Sequence, residues 1–116
     1  MKKLIYAIVC FFLLSSVGIA FEGATSSGEK TADAIIKGGT CWLASVIIIT
    51  DGTNDAKLIL YDNNSAALGT VLLEMTVKGT DHYGGRNYMW PVLAKKGVYA
   101  DVNGTGASYI VEYIKR

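Results

Sequence analysis

The sequence of 116 residues predicts an all-β protein, a single domain in which antiparallel strands form a β-sandwich. Short runs of strand-favouring residues follow one another, and Gly, Asn or Asp closes each run after roughly eight to twelve residues. No window after residue 31 has apolar residues at the three- and four-residue spacing of a helix. The short connections favour hairpins over parallel crossovers. A β-barrel, in which one sheet closes on itself, is the alternative to the sandwich.

Residues 1–20 predict a signal peptide that forms a hydrophobic helix. Two lysines are followed by an unbroken apolar run over residues 4–14, and Gly18 and Ala20 place small side chains at the two positions that a signal peptidase recognises. The alternative is an uncleaved apolar arm or anchor, because residues 4–21 approach the length that spans a bilayer. We expect export to the periplasm or the extracellular space, with membrane contact only through residues 4–21 if they are not cleaved.

Charge and cysteine content narrow the possible partners. The formal net charge is +1, and removal of residues 1–20 changes it to −1 because Lys2 and Lys3 are lost. A domain so close to neutral has no basic patch for nucleic acid, so we expect no nucleic-acid partner. Cys41 is the one cysteine after residue 20, which excludes an internal disulfide in that part. We expect a buried thiol there, with an intermolecular bridge as the alternative.

After the signal peptide, residues 21–33 are rich in Gly, Ser and Thr and predict a flexible lead-in, and residues 34–116 form the predicted β-sandwich domain. The clear predicted strands are Cys41–Thr50, Lys57–Tyr61, Thr70–Lys78, Tyr88–Leu93, Gly97–Val102 and Ala107–Ile114. Pro91 confines its strand to an edge or a bulge. Residues 79–87 predict a loop, and Gly104–Gly106 a tight turn between the last two strands.

The residues offer little for catalysis. His82 is the only histidine, and no nucleophile elbow or pair of metal ligands accompanies it. Glu74 and Glu112 alternate with apolar neighbours, as solvent-facing strand positions do. We therefore expect no enzyme and no cofactor.

Two loops leave a choice between calcium binding and turn formation. Residues 51–55 and 62–65 concentrate Asp and Asn, whose oxygen atoms are suitable calcium ligands. The same side chains are the usual turn formers, because they bond to the local backbone. The spacing lacks the regular alternation of an EF-hand loop.

Aromatic residues crowd the C-terminal half and form the candidate interaction surface. Its residues are Tyr83, Tyr88, Trp90, Tyr109 and Tyr113. Tyrosines on one sheet face are typical of a protein interface or of a platform on which sugars stack. Because tyrosine is amphipathic, the same residues also fit positions that cap the core with their hydroxyls in water, which is the interpretation we favour.

Two segments resemble small β-sandwich proteins of tailed phages. Ile59–Ser65 (ILYDNNS), followed by Gly69-Thr70, is similar to their strand, YDN and G-T pattern, and Lys96–Tyr113 is similar to their closing hairpin. The resemblance covers about residues 38–116 on strand and turn pattern. It implies a jelly-roll-like fold and a role as an oligomeric virion surface or capsid-decoration component, and it carries over no ligand-binding residue. The signal-like N-terminus departs from this pattern, since tailed-phage head proteins assemble in the cytoplasm; it fits an exported relative or an assembly arm.

The sequence therefore predicts a non-enzymatic structural or interaction protein that binds a protein partner or self-associates. The alternative is an exported bacterial ligand-binding module, which would take sugar or calcium through residues 51–55, 62–65 and 80–87.

Overall fold

A computed structural model describes residues 23–116, and the predicted signal helix lies outside these described residues. Within them the chain forms eight strands and one 3-10 turn at Gly79–Asp81. The strands are β1 (Thr25–Ser26), β2 (Ala34–Gly38), β3 (Cys41–Ile49), β4 (Ala56–Tyr61), β5 (Val71–Val77), β6 (Tyr83–Ala94), β7 (Gly97–Asn103) and β8 (Ser108–Lys115). No helix in this part of the chain is long and apolar enough to cross a membrane.

The strands form two antiparallel sheets of four. Sheet A has the order β1-β8-β3-β6, and sheet B has the order β2-β7-β4-β5. The buried side chains of both sheets form one hydrophobic cluster between them. The prediction of an all-β, antiparallel, sandwich-like fold is therefore confirmed.

The first half of the chain pairs with the second half like one long hairpin. β1 pairs with β8, β2 with β7, β3 with β6 and β4 with β5, so the tip of this hairpin is the β4–β5 connection. The hairpin is wound on itself, which brings β3 against β8 and β4 against β7. This winding leaves β1 and β6 at the edges of sheet A, and β2 and β5 at the edges of sheet B.

The core is built from alternate residues of the central strands. Its fully buried large side chains are Tyr109, Leu43, Ile48, Leu58, Leu60, Val46, Val98, Val111 and Cys41. In β3 the inward positions change from odd to even numbers, because a register shift lies between Leu43 and Ser45. A β-bulge of this kind inserts a residue and reverses which face the following side chains occupy.

Residues 21–33 differ from their predicted role as a flexible lead-in. Their described part contains β1 (Thr25–Ser26), and the backbone N–H of Ser27 donates to a carbonyl of β8 at 2.8 Å. Lys30 and Tyr109 then exchange backbone hydrogen bonds at 2.9 Å in both directions. The outer edge of β8 carries backbone groups that need partners, and small polar residues can follow that edge without steric conflict.

The predicted loop at residues 79–87 is also corrected, because β6 begins at Tyr83 and runs for 12 residues. Gly84 and Gly85 are not a loop tip but pair with β3. A side chain at Gly84 would place its Cβ 2.6 Å from Cγ2 of Val77. The glycine therefore permits a close approach of β6 to the other sheet, which is a second role of glycine in strands.

The prediction for Pro91 is confirmed, since β6 is an edge strand and Pro91 lies in a bulge. Leu43 pairs with Val92 while Ser45 pairs with Asn87, so residues 88–91 have no counterpart in β3. The bulge displaces these four residues from the ladder. Because proline has no backbone N–H to donate, its position in an edge strand leaves no acceptor of a neighbouring strand unpaired.

Candidate functional site

The outer face of sheet A carries large apolar side chains in contact with solvent. Trp42 and Ile47 of β3 point away from the core and are 37% and 42% exposed. Tyr83, at the start of β6, is 71% exposed, and Trp90 in the bulge is 83% exposed. With Ile114 of β8, which lies beside Trp42 in the sheet, these residues define what we call the apolar face.

One half of the apolar face is an open cleft of about 400 Å³, lined by Trp42, Trp90, Pro91 and Ile114. The bulge in β6 creates this cleft, because it carries Trp90 and Pro91 away from the ladder beside Trp42. All four lining side chains are apolar or aromatic, with two indoles among them. Such a cleft suits an apolar side chain of a protein partner, since aromatic anchors dominate the energetics of interfaces.

The other half is a smaller cleft of about 290 Å³ around Ile47 and Tyr83. Gly85 adds no side chain to it, and Arg86 and Asn87 provide polar atoms at its margin. Between the two halves, Ser45 Oγ donates a hydrogen bond to Glu112 Oε2 at 2.9 Å. The face therefore has two apolar regions separated by a row of polar side chains. Protein interfaces commonly combine apolar and polar areas in this way.

The outer face of sheet B is different in character. Lys57 of β4 and Glu74 of β5 form an ion pair with 2.6 Å between nitrogen and oxygen. Glu74 also raises the pKa of the Lys57 ammonium, through its hydrogen bond and its negative charge. The strongly exposed apolar residues of sheet B, Ile35 and Val71, lie on its two opposite edge strands. Scattered apolar residues of this kind are normal on protein surfaces.

The structure divides the five predicted interaction residues between surface and core. Tyr83 and Trp90 belong to the apolar face, whereas Tyr109 and Tyr113 are buried, at 0% and 8% exposure. The hydroxyl of Tyr109 donates to the carbonyl oxygen of Ala32 at 2.8 Å. Burial raises the pKa of this hydroxyl to about 12. Tyr109 and Tyr113 are therefore removed from the candidate interaction surface, because β8 turns them inward. Their burial agrees with the favoured interpretation that tyrosines of this group pack on the core, although the hydroxyl of Tyr109 bonds to the backbone and not to water.

Tyr88 is intermediate between these two groups. Its ring packs against the hydrophobic core from the bulge of β6. Its hydroxyl oxygen is buried and makes no hydrogen bond within the part of the chain that the structure describes. Tyr88 thus holds the bulge against the sandwich and presents little surface to a partner.

Three residues of the apolar face, Trp42, Ile47 and Ile114, were not among the predicted site residues. Trp42 and Ile47 lie in Cys41–Thr50, the most apolar run of the chain, where both faces of the strand are hydrophobic. Their outward direction depends on the register shift between Leu43 and Ser45, which the spacing of residues does not reveal. The sequence offered one indication, which is the large aromatic side chain of Trp42 between Cys41 and Leu43, two positions that face the core.

The loops considered for calcium use their oxygen atoms in hydrogen bonds to backbone N–H groups, some within the loop and one to a distant part of the chain. Asp51 Oδ1 accepts from the backbone N–H groups of Thr53 and Asn54, at 2.9 and 2.7 Å. These bonds, with that from the Asn54 side chain, lower the pKa of the Asp51 carboxyl. In the next loop Asp62 Oδ1 accepts from the N–H of Lys96 at 2.8 Å. The geometry is that of side chains that fix turns.

The titratable residues are dispersed over the fold. Among residues 23–116 no three His, Cys, Asp or Glu side chains gather in a group that could hold a metal ion. His82 follows the 3-10 turn with a φ of 64°, and it is exposed beside Gly52. Glu74 and Glu112 are both exposed, as their alternation predicts, and they lie on different sheets.

We expect Cys41 to resist thiol reagents in the folded protein. Its side chain is fully buried, as the sequence predicts, and burial raises the pKa of the thiol although Lys37 acts in the opposite direction. A raised pKa leaves less of the reactive thiolate at neutral pH. Absorbance with an aromatic disulfide reagent at pH 7 should show Cys41 reacting only after denaturant is added, with a Cys10→Ser variant removing the other thiol. Rapid labelling without denaturant would contradict the buried position.

The apolar face is therefore the candidate functional site, built by β3, β6 and β8 around a bulge. Its exposed side chains, and not a set of titratable groups, give it its chemical character. Comparisons of the chain with protein-family models, with curated proteins and with solved structures find no match.

Proposed function

We propose that this is a non-enzymatic structural or interaction protein that docks on a protein surface through its apolar face. The observation that carries the proposal is the exposure of Trp42 and Trp90 around one apolar cleft. Tryptophan is enriched among the few residues that supply most of the energy of an interface. Covering its ring with a partner removes a large apolar area from water, which favours association.

The size of the surface supports a protein partner. The apolar face and the neighbouring Met89, which is 89% exposed, together expose on the order of 600 Å² of side chain, on ordinary side-chain areas. Exposed apolar area of this extent is often functional, and here it is divided into two halves by the polar row at Ser45 and Glu112. A standard interface buries about 800 Å² on each partner, so this patch with a polar rim is sufficient for one.

The winding of the strands supports the jelly-roll class within the sandwich architecture. The long hairpin pairs β1 with β8, β2 with β7, β3 with β6 and β4 with β5. Rolled into two sheets, it gives eight strands with Greek-key connections. Jelly rolls of this kind occur in viral capsid and lectin domains. The order therefore agrees with the resemblance to virion surface or decoration components of tailed phages. In this proposal residues 1–20 direct export, and docking takes place in the periplasm, outside the cell or on a virion.

The chemistry of the cleft favours a protein over the ligands considered from the sequence. A sugar site needs polar groups for the hydroxyls beside its aromatic platform. The lining of the cleft at Trp42 and Trp90 is apolar. The oxygen atoms of Asp51 and Asp62 already accept backbone hydrogen bonds, which leaves calcium without a prepared ligand set.

Replacement of Trp90 by serine should detach the protein from its partner surface. We expect the untagged protein, in an extract of its native host, to sediment with a large assembly. The Trp90→Ser variant should reduce the sedimenting fraction at least tenfold, since a central aromatic anchor contributes about 2 kcal/mol or more. Quantitative immunoblotting of gradient fractions measures the effect.

The matched control is Ile35→Ser, which removes a half-exposed apolar side chain from sheet B. We expect it to sediment like the unchanged protein. Equal loss in both variants, or no sedimentation of the unchanged protein, would overturn the proposal. A melting temperature that rises with calcium or with glycans, without sedimentation, would favour the ligand-binding module, because a ligand stabilises only the form that binds it.

A further inference from the structure

Three of the four sheet edges are protected against pairing with another chain, and β6 is the exception. β1 has only two residues, β2 contains Lys37 beside a register shift, and β5 has a register shift opposite Tyr61. Short strands, lysines and bulges are the devices that protect edges. β6 also lies at an edge, but its bulge and Pro91 are confined to its second half, which leaves Tyr83–Asn87 as a regular segment without such a device.

The hydrogen-bond pattern identifies the free groups of this edge. The N–H of Thr50 donates to the carbonyl of His82 at 2.8 Å. Hydrogen-bonded and non-hydrogen-bonded pairs alternate along an antiparallel ladder. Tyr83, Gly85 and Asn87 therefore direct both their N–H and their C=O groups away from β3. None of the three is proline or lysine, so nothing in the segment Tyr83–Asn87 prevents a further strand.

We propose that this edge pairs with the same edge of a second copy of the chain, antiparallel and across a two-fold axis at Gly85. This register places Gly85 opposite Gly85, and Tyr83 opposite Asn87. The left-handed φ of 64° at His82 ends the regular segment on one side, and the bulge at residues 88–91 ends it on the other. Only the register centred on Gly85 gives all three outward residues a partner.

The side chains of β6 fit this register. Arg86 is exposed and stands opposite Gly84 of the second copy, which adds no side chain of its own to this pair. No pair brings two large or two like-charged side chains together, and the two-fold axis repeats each contact, as an interface between identical copies requires. A net charge of +1 adds little repulsion between the copies.

The resulting dimer has one continuous eight-stranded sheet in place of two separate sheets A. Edge pairing uses backbone groups and leaves the apolar face of each copy on the outer surface, so the dimer offers two docking faces to a repeating partner. The inference therefore adds to the proposed function and does not depend on it. A short extended segment of another protein is the other occupant that this edge would accept.

Asn87→Pro is the first test, because it removes an outward N–H and leaves the ladder with β3 intact. Sedimentation equilibrium of the purified full chain should show a dimer whose dissociation constant rises about tenfold or more in this variant, since two backbone hydrogen bonds are lost. Asn87→Ala is the control: it shortens the side chain, keeps the N–H and should leave dimerisation nearly unchanged. A monomer at every concentration of the unchanged protein would overturn the proposal.

A cross-link gives a second test that does not depend on how well the proline variant folds. In a Cys10→Ser background, Gly85→Cys should form a disulfide-linked dimer on oxidation, because hydrogen-bonded pairs have Cα atoms about 5.5 Å apart. Arg86→Cys is the control, since its two copies lie diagonally at about 8 Å, beyond the reach of a disulfide. Equal cross-linking in both variants, or none at Gly85, contradicts the register. Both tests use purified protein without a partner, so their failure leaves the sedimentation experiment with Trp90→Ser unaffected.

Discussion

Replacement of Tyr109 by alanine is expected to lower the free energy of unfolding by about 3–5 kcal/mol, the usual cost of truncating a buried aromatic ring. Tyr109 is the largest fully buried side chain of the fold. It also exchanges backbone hydrogen bonds with Lys30, so its position fixes the lead-in against β8. A cavity at this point affects both the core and the edge of sheet A. Urea denaturation followed by tryptophan fluorescence measures the change.

Two variants separate burial from other causes. Tyr83→Ala, at a position 71% exposed, should change the free energy of unfolding by less than about 0.5 kcal/mol. Tyr109→Phe should cost only about 1 kcal/mol, because it removes the hydrogen bond to Ala32 and keeps the ring. If Tyr83→Ala destabilised as much as Tyr109→Ala, the assignment of these residues to surface and core would be wrong.

The pKa of Tyr109 provides an independent readout of the same burial. Since the folded state raises this pKa from its ordinary 10.0 to about 12, folding favours the protonated hydroxyl. The contribution to stability is complete below the ordinary pKa and is lost as the pH rises toward the folded value. The unchanged protein should therefore lose stability between these pH values, and Tyr109→Phe should lose less over the same range.

Gly104→Ala is expected to destabilise the fold by roughly 3 kcal/mol, through backbone strain and overpacking together. Gly104 begins the turn between β7 and β8 with a φ of 126°, a conformation that residues with a side chain rarely adopt. A Cβ there would lie 2.3 Å from the carbonyl oxygen of Asp55. The clash involves backbone on the β3–β4 connection, which cannot move without disturbing both sheets. Thermal denaturation monitored by circular dichroism measures the loss.

Gly39→Ala is the matched control for that substitution. Gly39 has a φ of 86°, but a Cβ there would meet nothing within 4 Å. We therefore expect only the strain of the left-handed backbone, roughly 1 kcal/mol. A Gly104→Ala variant as stable as Gly39→Ala would show that the turn does not pack against Asp55 as described.

The strand β6 connects the proposed function with the proposed dimer. Its bulge at residues 88–91 displaces Trp90 and forms the apolar cleft, while its first half keeps a regular, unpaired edge. The same strand thus gives one surface for a partner and another for a second copy. The two surfaces lie on different sides of the strand, which permits both contacts at the same time.

The local features of this protein could be predicted from neighbouring residues in the chain. Alternation and branched side chains predicted the central strands within one or two residues, and Gly104–Gly106 forms the tight turn that its glycines predicted, with Ala107 N–H donating to Gly104 at 3.3 Å. Cys41 is buried, as its place in an apolar run indicated. These features depend on neighbours in the chain, whose influence on backbone conformation is present in the sequence.

The packing of the two sheets, and not the local pattern, sets which residues face the core. In β8, Tyr109 and Tyr113 alternate with Ile110 and Ile114, so either face was apolar enough to be buried, and the packing of the two sheets turned the tyrosines inward. In β3, the register shift after Leu43 turned Ile47 outward. Period-two alternation defines two faces of a strand but does not say which is inside. Which face is inside depends on pairing between residues far apart in the chain. The same pairing produces the apolar face and the free edge of β6.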